Sequence, residues 1–169
     1  MSLSLRALDS KGLMTTPTSP SSTDSVHIVC PHCQTTNRVA KGDLGKATDC
    51  GQCHKALFSG QSVAMTEAAF DKHLQRNQIP VLVDFWAPWC GPCRQMAPAY
   101  EQAAQQLEPQ VRLAKVNTEE AQNLGARYNI RSIPTLALFL NGKEIARQPG
   151  AMGAADIVRW TQAQLAQHG

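Results

Sequence analysis

Two cysteines near the middle of the chain, Cys90 and Cys93, are separated only by Gly91 and Pro92. They follow an apolar run at 81–86 that is rich in β-branched residues, and they precede a stretch with helical spacing of apolar residues. This pattern predicts a strand that delivers two thiols to the first turn of a helix. Unpaired N–H groups and the positive end of the helix dipole favour a thiolate there. We therefore expect Cys90 to be the reactive cysteine.

A thiolate in this position is suited to thiol–disulfide exchange. It attacks a disulfide in line and forms a mixed disulfide, which a second thiol must resolve. We assign the attack to Cys90, which must be exposed, and the resolution to Cys93, which lies deeper in the helix and is shielded. The alternative is a buried disulfide without turnover, but an inert bridge does not need the sequence Trp-Cys-Gly-Pro-Cys.

Four further cysteines form two pairs with sixteen residues between them: Cys30, Cys33, Cys50 and Cys53. Two such pairs at a separation of roughly 15 to 20 residues supply four thiolates that can surround one Zn²⁺ tetrahedrally. His32 and His54 are adjacent and could replace a cysteine, although four sulfurs at matched spacing are the simpler ligand set. Because four protein ligands leave no open coordination position, we expect a structural rather than a catalytic zinc.

One carboxylate, Asp84, interrupts the apolar strand six residues before Cys90. Burying an unpaired charge is costly, so a buried carboxyl group stays neutral to a higher pH than usual and can exchange a proton with a neighbour. The alternative is an exposed position at the edge of a sheet. Asp84 is therefore a candidate for proton transfer.

The composition excludes several classes of protein. The chain has 169 residues, 43% of them hydrophobic, and a net charge of +3 without a basic block, so neither nucleic acid nor an anionic membrane is indicated as a partner. We find no apolar stretch of roughly 20 residues and no signal-peptide core. Six cysteines in three closely spaced pairs, without an export signal, indicate metal and redox chemistry in the reducing cytoplasm.

The elements that must position these residues follow from periodicity and turn signals. Residues 1–25 are rich in Ser and Thr and are predicted to be a disordered leader. Residues 26–58, here called the cysteine module, are predicted to be a small zinc ribbon with a strand at 35–40. Residues 62–168 form the main domain. Its predicted helices are 66–76, 91–107 with a kink at Pro98, one opened by Thr118, and 153–167; its predicted strands are 81–86, 111–116, 136–140 and 143–148. This order predicts an α/β domain with a mixed sheet and helices on both faces.

The segment Trp86-Ala87-Pro88-Trp89-Cys90-Gly91-Pro92-Cys93, with Asp84, Ile133-Pro134-Thr135 and Gly150, resembles the thioredoxin family. The resemblance covers roughly 62–168, and the cysteine module resembles the N-terminal zinc module of the bacterial thioredoxin 2 subfamily. It implies a thioredoxin fold preceded by a small zinc ribbon. One departure is Pro149, where the family usually has a small or β-branched apolar residue.

The resemblance also implies roles for single residues. The Gly-Pro pair between the cysteines is typical of reductants. Asp84 is implied to be a buried general base that deprotonates Cys93 through water. Lys115 is implied to be paired with Asp84, although the sequence alone is nearly as compatible with an ordinary surface lysine.

A substrate surface is implied as well. The resemblance implies a cis peptide bond before Pro134 and a backbone at Ile133 that pairs with an extended substrate. The remaining members of the implied substrate rim are Trp89, Gly91, Pro92 and Gly150. Trp86 is predicted to belong to the core, and His27, His73 and His168 to the surface.

Together these features predict a monomeric, broad-specificity protein disulfide reductase that contributes to cell redox homeostasis. The resemblance implies thioredoxin reductase and NADPH as the source of electrons. The chain contains neither GxGxxG nor a P-loop, so we expect no bound organic cofactor. Two alternatives are an exported oxidase or isomerase, and a zinc-dependent holdase whose binding surface is exposed when oxidation releases the metal.

Overall fold

The computed structural model describes residues 24–168. The predicted leader, 1–25, therefore lies outside the described residues except for its last two, and Ser25 is the first residue of a strand. The described chain begins with a small antiparallel sheet of β1 (Ser25–Val29) and β2 (Thr36–Ala40). The first cysteine pair lies in the turn between these strands. A bridge between Asp49 and Ala56 closes the loop that carries the second pair.

The rest of the described chain forms a five-stranded mixed sheet with helices on both faces. Its elements are β3 (Val63–Ala64), α1 (Glu67–Arg76), β4 (Val81–Trp86), α2 (Gly91–Leu107), β5 (Arg112–Asn117), α3 (Gln122–Arg127), β6 (Thr135–Leu140), β7 (Lys143–Pro149) and α4 (Ala154–His168). The strand order is β3-β5-β4-β6-β7; β3, β5 and β4 are parallel, whereas β6 and β7 are antiparallel to their neighbours. The predicted fold class is confirmed. None of the helices within 24–168 combines the length and the apolar character needed to cross a bilayer.

The central strand β4 contributes to both halves of the core. Successive side chains of a strand point to opposite faces, so Val83 and Phe85 pack with α1 on one face, while Leu82 packs with α2 and α4 on the other. By the same alternation, Asp84 shares the face of Leu82. Asp84 is fully buried, because β4 has a strand on each side and helices on both faces. The alternative of an exposed edge position is therefore wrong.

Two local predictions differ from the structure. The helix expected to open at Thr118 begins instead at Gln122. The Thr118 hydroxyl donates to the carbonyl of Trp86 at 3.1 Å, and the Asn117 side chain accepts from the N–H of Glu119 at 2.9 Å. These bonds hold a turn that delays the helix. Strands β1 and β3 were not predicted; β3 has only two residues and thus no periodicity.

The cysteine module packs against the end of the larger sheet at which β4 and β5 begin. The Arg112 guanidinium donates to the carbonyls of Leu57 at 2.8 Å and Val29 at 3.3 Å, and it lies 4.3 Å from the centre of the Phe58 ring. Arg112 as a whole residue is only 1% exposed. Because β4 runs from this end towards Cys90, the module lies at the end of the sheet opposite the dithiol.

The last turn of α1 completes this interface. The N–H of Val29 donates to the Asn77 side chain at 2.8 Å, and the Asn77 amide lies 2.9 Å from Nδ1 of His73. His73 is fully buried, so its prediction as a surface residue is wrong. Burial, together with the charge of Arg112, lowers the pKa of His73 to about 3. The module thus covers a neutral imidazole.

Candidate active site and metal centre

Cys90 and Cys93 form a disulfide at the junction of β4 and α2, with their Cα atoms 5.3 Å apart. Cys90 is the N-cap residue of α2, and its sulfur accepts from the N–H of Cys93 at 3.2 Å. Pro92 lies in the first turn, where a missing N–H removes no helical hydrogen bond. After reduction, the helix terminus therefore stabilises negative charge on the Cys90 sulfur.

The accessibility of the two cysteines differs from the prediction. Cys90 is 4% exposed and Cys93 is 2% exposed, so the prediction of an exposed Cys90 is wrong for this disulfide form. The Cys90 sulfur is bonded to Cys93 and lies 3.7 Å from the carbonyl oxygen of Ile133, while Trp86 and Ala87 pack around the pair. The Cys90 residue is thus almost fully shielded from solvent in the disulfide form.

A loop opposite the dithiol supplies several predicted rim residues. The Ile133–Pro134 peptide bond is cis, and the Ile133 carbonyl oxygen lies 3.7 Å from the Cys90 sulfur. Gly150 has a φ of 97°, which favours glycine, and its N–H donates to the carbonyl of Pro134 at 2.9 Å. Trp89 is 67% exposed. The structure thus brings Ile133 and Pro134 to the dithiol, and Gly150 adjoins them through its backbone.

Asp84 is a fully buried carboxyl group. Neither of its oxygens has a hydrogen-bond partner within residues 24–168. Burial raises the pKa of Asp84 from 3.8 to about 7, and the opposing positive charge of Lys115 is the smaller influence. Such a carboxyl group exchanges protons near neutral pH.

Lys115 lies opposite Asp84 in the parallel register of β4 and β5. Among the described residues no ion pair within 4.0 Å joins the two groups, so the pairing implied by the resemblance is absent from this structure. The Lys115 ammonium instead lies 4.5 Å from the centre of the Trp86 ring. Both side chains line an open cavity of about 440 Å³. Trp86 is accordingly half-buried rather than a full member of the core.

The four remaining cysteines converge on one point. The sulfurs of Cys30, Cys33, Cys50 and Cys53 lie within 4.8 Å of one another, and no disulfide joins them. The sulfur of Cys30 accepts from the N–H of His32, and that of Cys50 from the N–H of Gln52, both at 3.3 Å. Neither His32 nor His54 belongs to the cluster. Four convergent sulfurs, two of which accept backbone N–H bonds, fit a thiolate-bound Zn²⁺.

The acidities of these thiols differ because their surroundings differ. Burial raises the pKa of Cys30 to about 11. Donation from the backbone N–H of Cys53 lowers that of Cys50 to about 6. A bound divalent cation holds all four ligands as thiolates, since only the deprotonated thiol is a ligand.

Sequence reasoning missed Arg112, which holds the cysteine module against the main domain. Its guanidinium lies 3.6 Å from the Glu108 carboxylate, and both side chains are buried. Glu108 also accepts from the N–H of Gly60 at 3.1 Å. An arginine within an alternating strand pattern gave no signal of this role, because the carbonyls to which it donates lie 55 and 83 residues away along the chain.

A protein-family model described as Thioredoxin matches residues 61–163. The chain is 42% identical over 140 residues to thioredoxin C-3 of Corynebacterium nephridii, which covers 83% of this chain and 96% of that protein. It is 48% identical over 91 residues to thioredoxin 1 of Synechococcus elongatus, covering 54% of this chain and 85% of the relative. It is 40% identical over 109 residues to the chloroplastic M-type thioredoxin of Chlamydomonas reinhardtii, covering 64% and 78%. The first alignment is too long to fit within 61–169 and therefore includes part of the chain before residue 61.

Proposed function

Since the chain belongs to the thioredoxin family of protein-disulfide oxidoreductases, we propose that it reduces disulfides in many proteins with the dithiol of Cys90 and Cys93. The observation that carries this proposal is the position of the Cys90 sulfur. It caps the first turn of α2 and lies 3.7 Å from the backbone carbonyl of Ile133. The helix terminus activates the sulfur, and the adjacent backbone offers a place for a substrate chain.

The reaction proceeds in two exchanges. The Cys90 thiolate attacks one sulfur of the substrate disulfide, that bond breaks, and the first substrate thiolate leaves. Cys93 then loses its proton and attacks the sulfur of Cys90, which releases the second substrate thiolate. Two electrons pass from the dithiol to the substrate, both leaving thiolates take up protons, and the Cys90–Cys93 disulfide forms.

Asp84 is proposed as the base for the second exchange. Its carboxylate receives the proton of Cys93 through water, which a pKa of about 7 permits at neutral pH. Lys115 acts on this step through its charge, because it lowers the pKa of Asp84 without contacting it. We propose both residues as part of the catalytic machinery.

The substrate is proposed to bind as an extended segment along the loop opposite the dithiol. Its backbone pairs with the backbone of Ile133, as a strand added to an exposed edge does. Apolar side chains of the substrate pack on Trp89. Among the described residues, Trp89 is the one large apolar residue that is exposed. The proposed rim comprises Trp89, Gly91, Pro92, Ile133, Pro134 and Gly150.

We propose that thioredoxin reductase returns the disulfide to a dithiol with electrons from NADPH. The sequence contains neither GxGxxG nor a P-loop, and the electrons are proposed to come from a separate flavoprotein. The proposed setting is the cytoplasm, where a monomeric reductase of this kind contributes to redox homeostasis.

The cysteine module, residues 26–58, is proposed to hold one structural Zn²⁺ through Cys30, Cys33, Cys50 and Cys53. The metal supplies no chemistry to the exchange and ties together a segment whose own core is small. Residues 62–168 are proposed to form the catalytic domain.

A coupled assay tests the proposal. Full-length protein is mixed with thioredoxin reductase, NADPH and a disulfide-containing protein, and the oxidation of NADPH is followed by absorbance. We expect steady consumption with the native chain and none with Cys90→Ser, whose fold is checked by circular dichroism. Absence of consumption with the native chain would overturn the proposed function.

A further inference from the structure

A groove of about 210 Å³ adjoins the proposed rim, between Trp89 and the segment 130–133. Trp89, Ile130 and Ile133 give it apolar walls, and Thr118 and Ser132 add hydroxyl groups. Arg131 is the charged residue of its lining. A chain that pairs with Ile133 therefore passes both an apolar surface and a guanidinium group.

Arg131 has no acidic partner within residues 24–168. Its Nε donates to the side-chain oxygen of Asn129 at 3.3 Å, and no carboxylate lies within 4.0 Å. Two other arginines in this region do have such partners: Arg127 pairs with Asp71, and Arg147 pairs with Glu144. Most of the five N–H donors of Arg131 are thus available, and the planar fork of a guanidinium matches a carboxylate.

The position of Arg131 along the chain sets what it can reach. Arg131 precedes Ile133 by two residues, so their Cα atoms lie within about 7 Å of each other. Ile133 in turn lies beside the sulfur of Cys90. A substrate side chain one to three residues from the reacting cysteine therefore comes within reach of the guanidinium group.

We propose that Arg131 makes the rim selective for disulfides whose cysteine is flanked, within about three residues, by an acidic side chain. This inference rests on the proposed function and narrows its substrate class. Trp89 provides affinity that does not depend on substrate charge, whereas Arg131 distinguishes acidic from basic flanks. Because Arg131 is exposed, the preference is modest and is screened by salt.

The test uses three peptides that differ at one position. Each carries one cysteine as a mixed disulfide with thionitrobenzoate, and Asp, Asn or Lys two residues from it. Release of thionitrobenzoate gives kcat/KM for the reduced protein, and each value is divided by the rate with dithiothreitol, which removes the intrinsic reactivity of the peptide. We expect the normalised kcat/KM to be highest for the Asp peptide, intermediate for the Asn peptide and lowest for the Lys peptide. Neighbouring values should differ about three-fold at low salt and by less in 1 M NaCl.

Variants assign the preference to one side chain. Arg131→Gln should abolish the order and Arg131→Glu should reverse it, whereas Arg38→Gln, which removes an exposed charge from β2, should leave it intact. Equal normalised rates for the three peptides, or an unchanged order in Arg131→Gln, would overturn the inference while leaving the reductase function in place. Failure of the protein to reduce any of the peptides would overturn the proposed function itself.

Discussion

Asp84 and Lys115 lie opposite each other on the parallel strands β4 and β5, yet the Lys115 ammonium contacts the ring of Trp86 rather than the carboxylate. Both oxygens of Asp84 lack a hydrogen-bond partner in the described part of the chain. Burial therefore dominates the acidity of Asp84 and raises its pKa to about 7. The carboxyl group is placed to exchange a proton at neutral pH, and this has consequences for stability and for rate.

The first prediction concerns stability and pH. Folding favours the protonated form of Asp84, so its contribution to stability is complete below the unfolded pKa of about 3.8 and is lost as the pH rises to about 7. That difference in pKa corresponds to on the order of 4 kcal/mol. We expect Asp84→Asn to raise the free energy of unfolding by several kcal/mol at pH 8 and to change it little at pH 4, as measured by urea denaturation of the disulfide form.

A matched control is Asp43→Asn, since the side chain of Asp43 is 49% exposed and pairs with Lys46. It should change stability by less than about 0.5 kcal/mol at either pH. If Asp84→Asn were no more stable than the native protein at pH 8, a carboxyl group of ordinary acidity would be indicated at this position.

The second prediction concerns Lys115. Its positive charge lowers the pKa of Asp84, so Lys115→Met should raise that pKa further. The acid limb of the reductase rate should then move to higher pH, because Asp84 accepts a proton only when it is ionised. The measurement is the rate of disulfide reduction between pH 5 and pH 9, with the exposed hairpin residue Lys143→Met as control. An unmoved or lowered midpoint would show that Lys115 does not act on Asp84.

The third prediction concerns the interface between the cysteine module and the main domain. Arg112→Ala leaves Glu108 buried without its partner and removes the donor to the carbonyls of Val29 and Leu57. We expect a loss of about 3–5 kcal/mol in the free energy of unfolding. Arg112→Met combined with Glu108→Gln should cost less, because no charge then remains buried. Arg159→Ala, at an exposed site on α4, serves as the control. If Arg112→Ala lost no more stability than this control, the buried linkage would be contradicted.

The fourth prediction concerns the metal. Elemental analysis should find one zinc per chain in the native protein and none in Cys50→Ser. Removal of the metal by a chelator should expose the backbone amides of β1 and β2 to hydrogen exchange, while those of β4 remain protected, since β4 is held by strands on both sides. Protected amides in β1 and β2 after complete removal of zinc would show that the module folds without it.

The sequence predicted the active-site junction because its signals are local. An apolar run, a Cys-Gly-Pro-Cys segment and a helical repeat lie within 30 residues of one another, and the structure has β4 and α2 at the predicted bounds. The strands of the β6–β7 hairpin were predicted from a local signal as well, since the two residues between them, Asn141 and Gly142, favour a tight hairpin turn.

Long-range contacts were not predicted, because no local pattern encodes them. His73 was predicted to be a surface residue and Arg112 was assigned no role, yet both are buried where the cysteine module covers the sheet. The separation of Lys115 from Asp84 likewise depends on the competing position of Trp86. In each case the deciding partner lies far away in the sequence.

The division of roles between Cys90 and Cys93 is the central claim, and trapping of the mixed disulfide tests it most directly. Cys93→Ser is incubated in reduced form with a disulfide protein, and the products are resolved by mass spectrometry under non-reducing conditions. We expect a covalent adduct through Cys90 that persists because no thiol resolves it, and no adduct with Cys90→Ser. An adduct formed by Cys90→Ser through Cys93 would contradict the account. The absence of an adduct with both variants would contradict it as well.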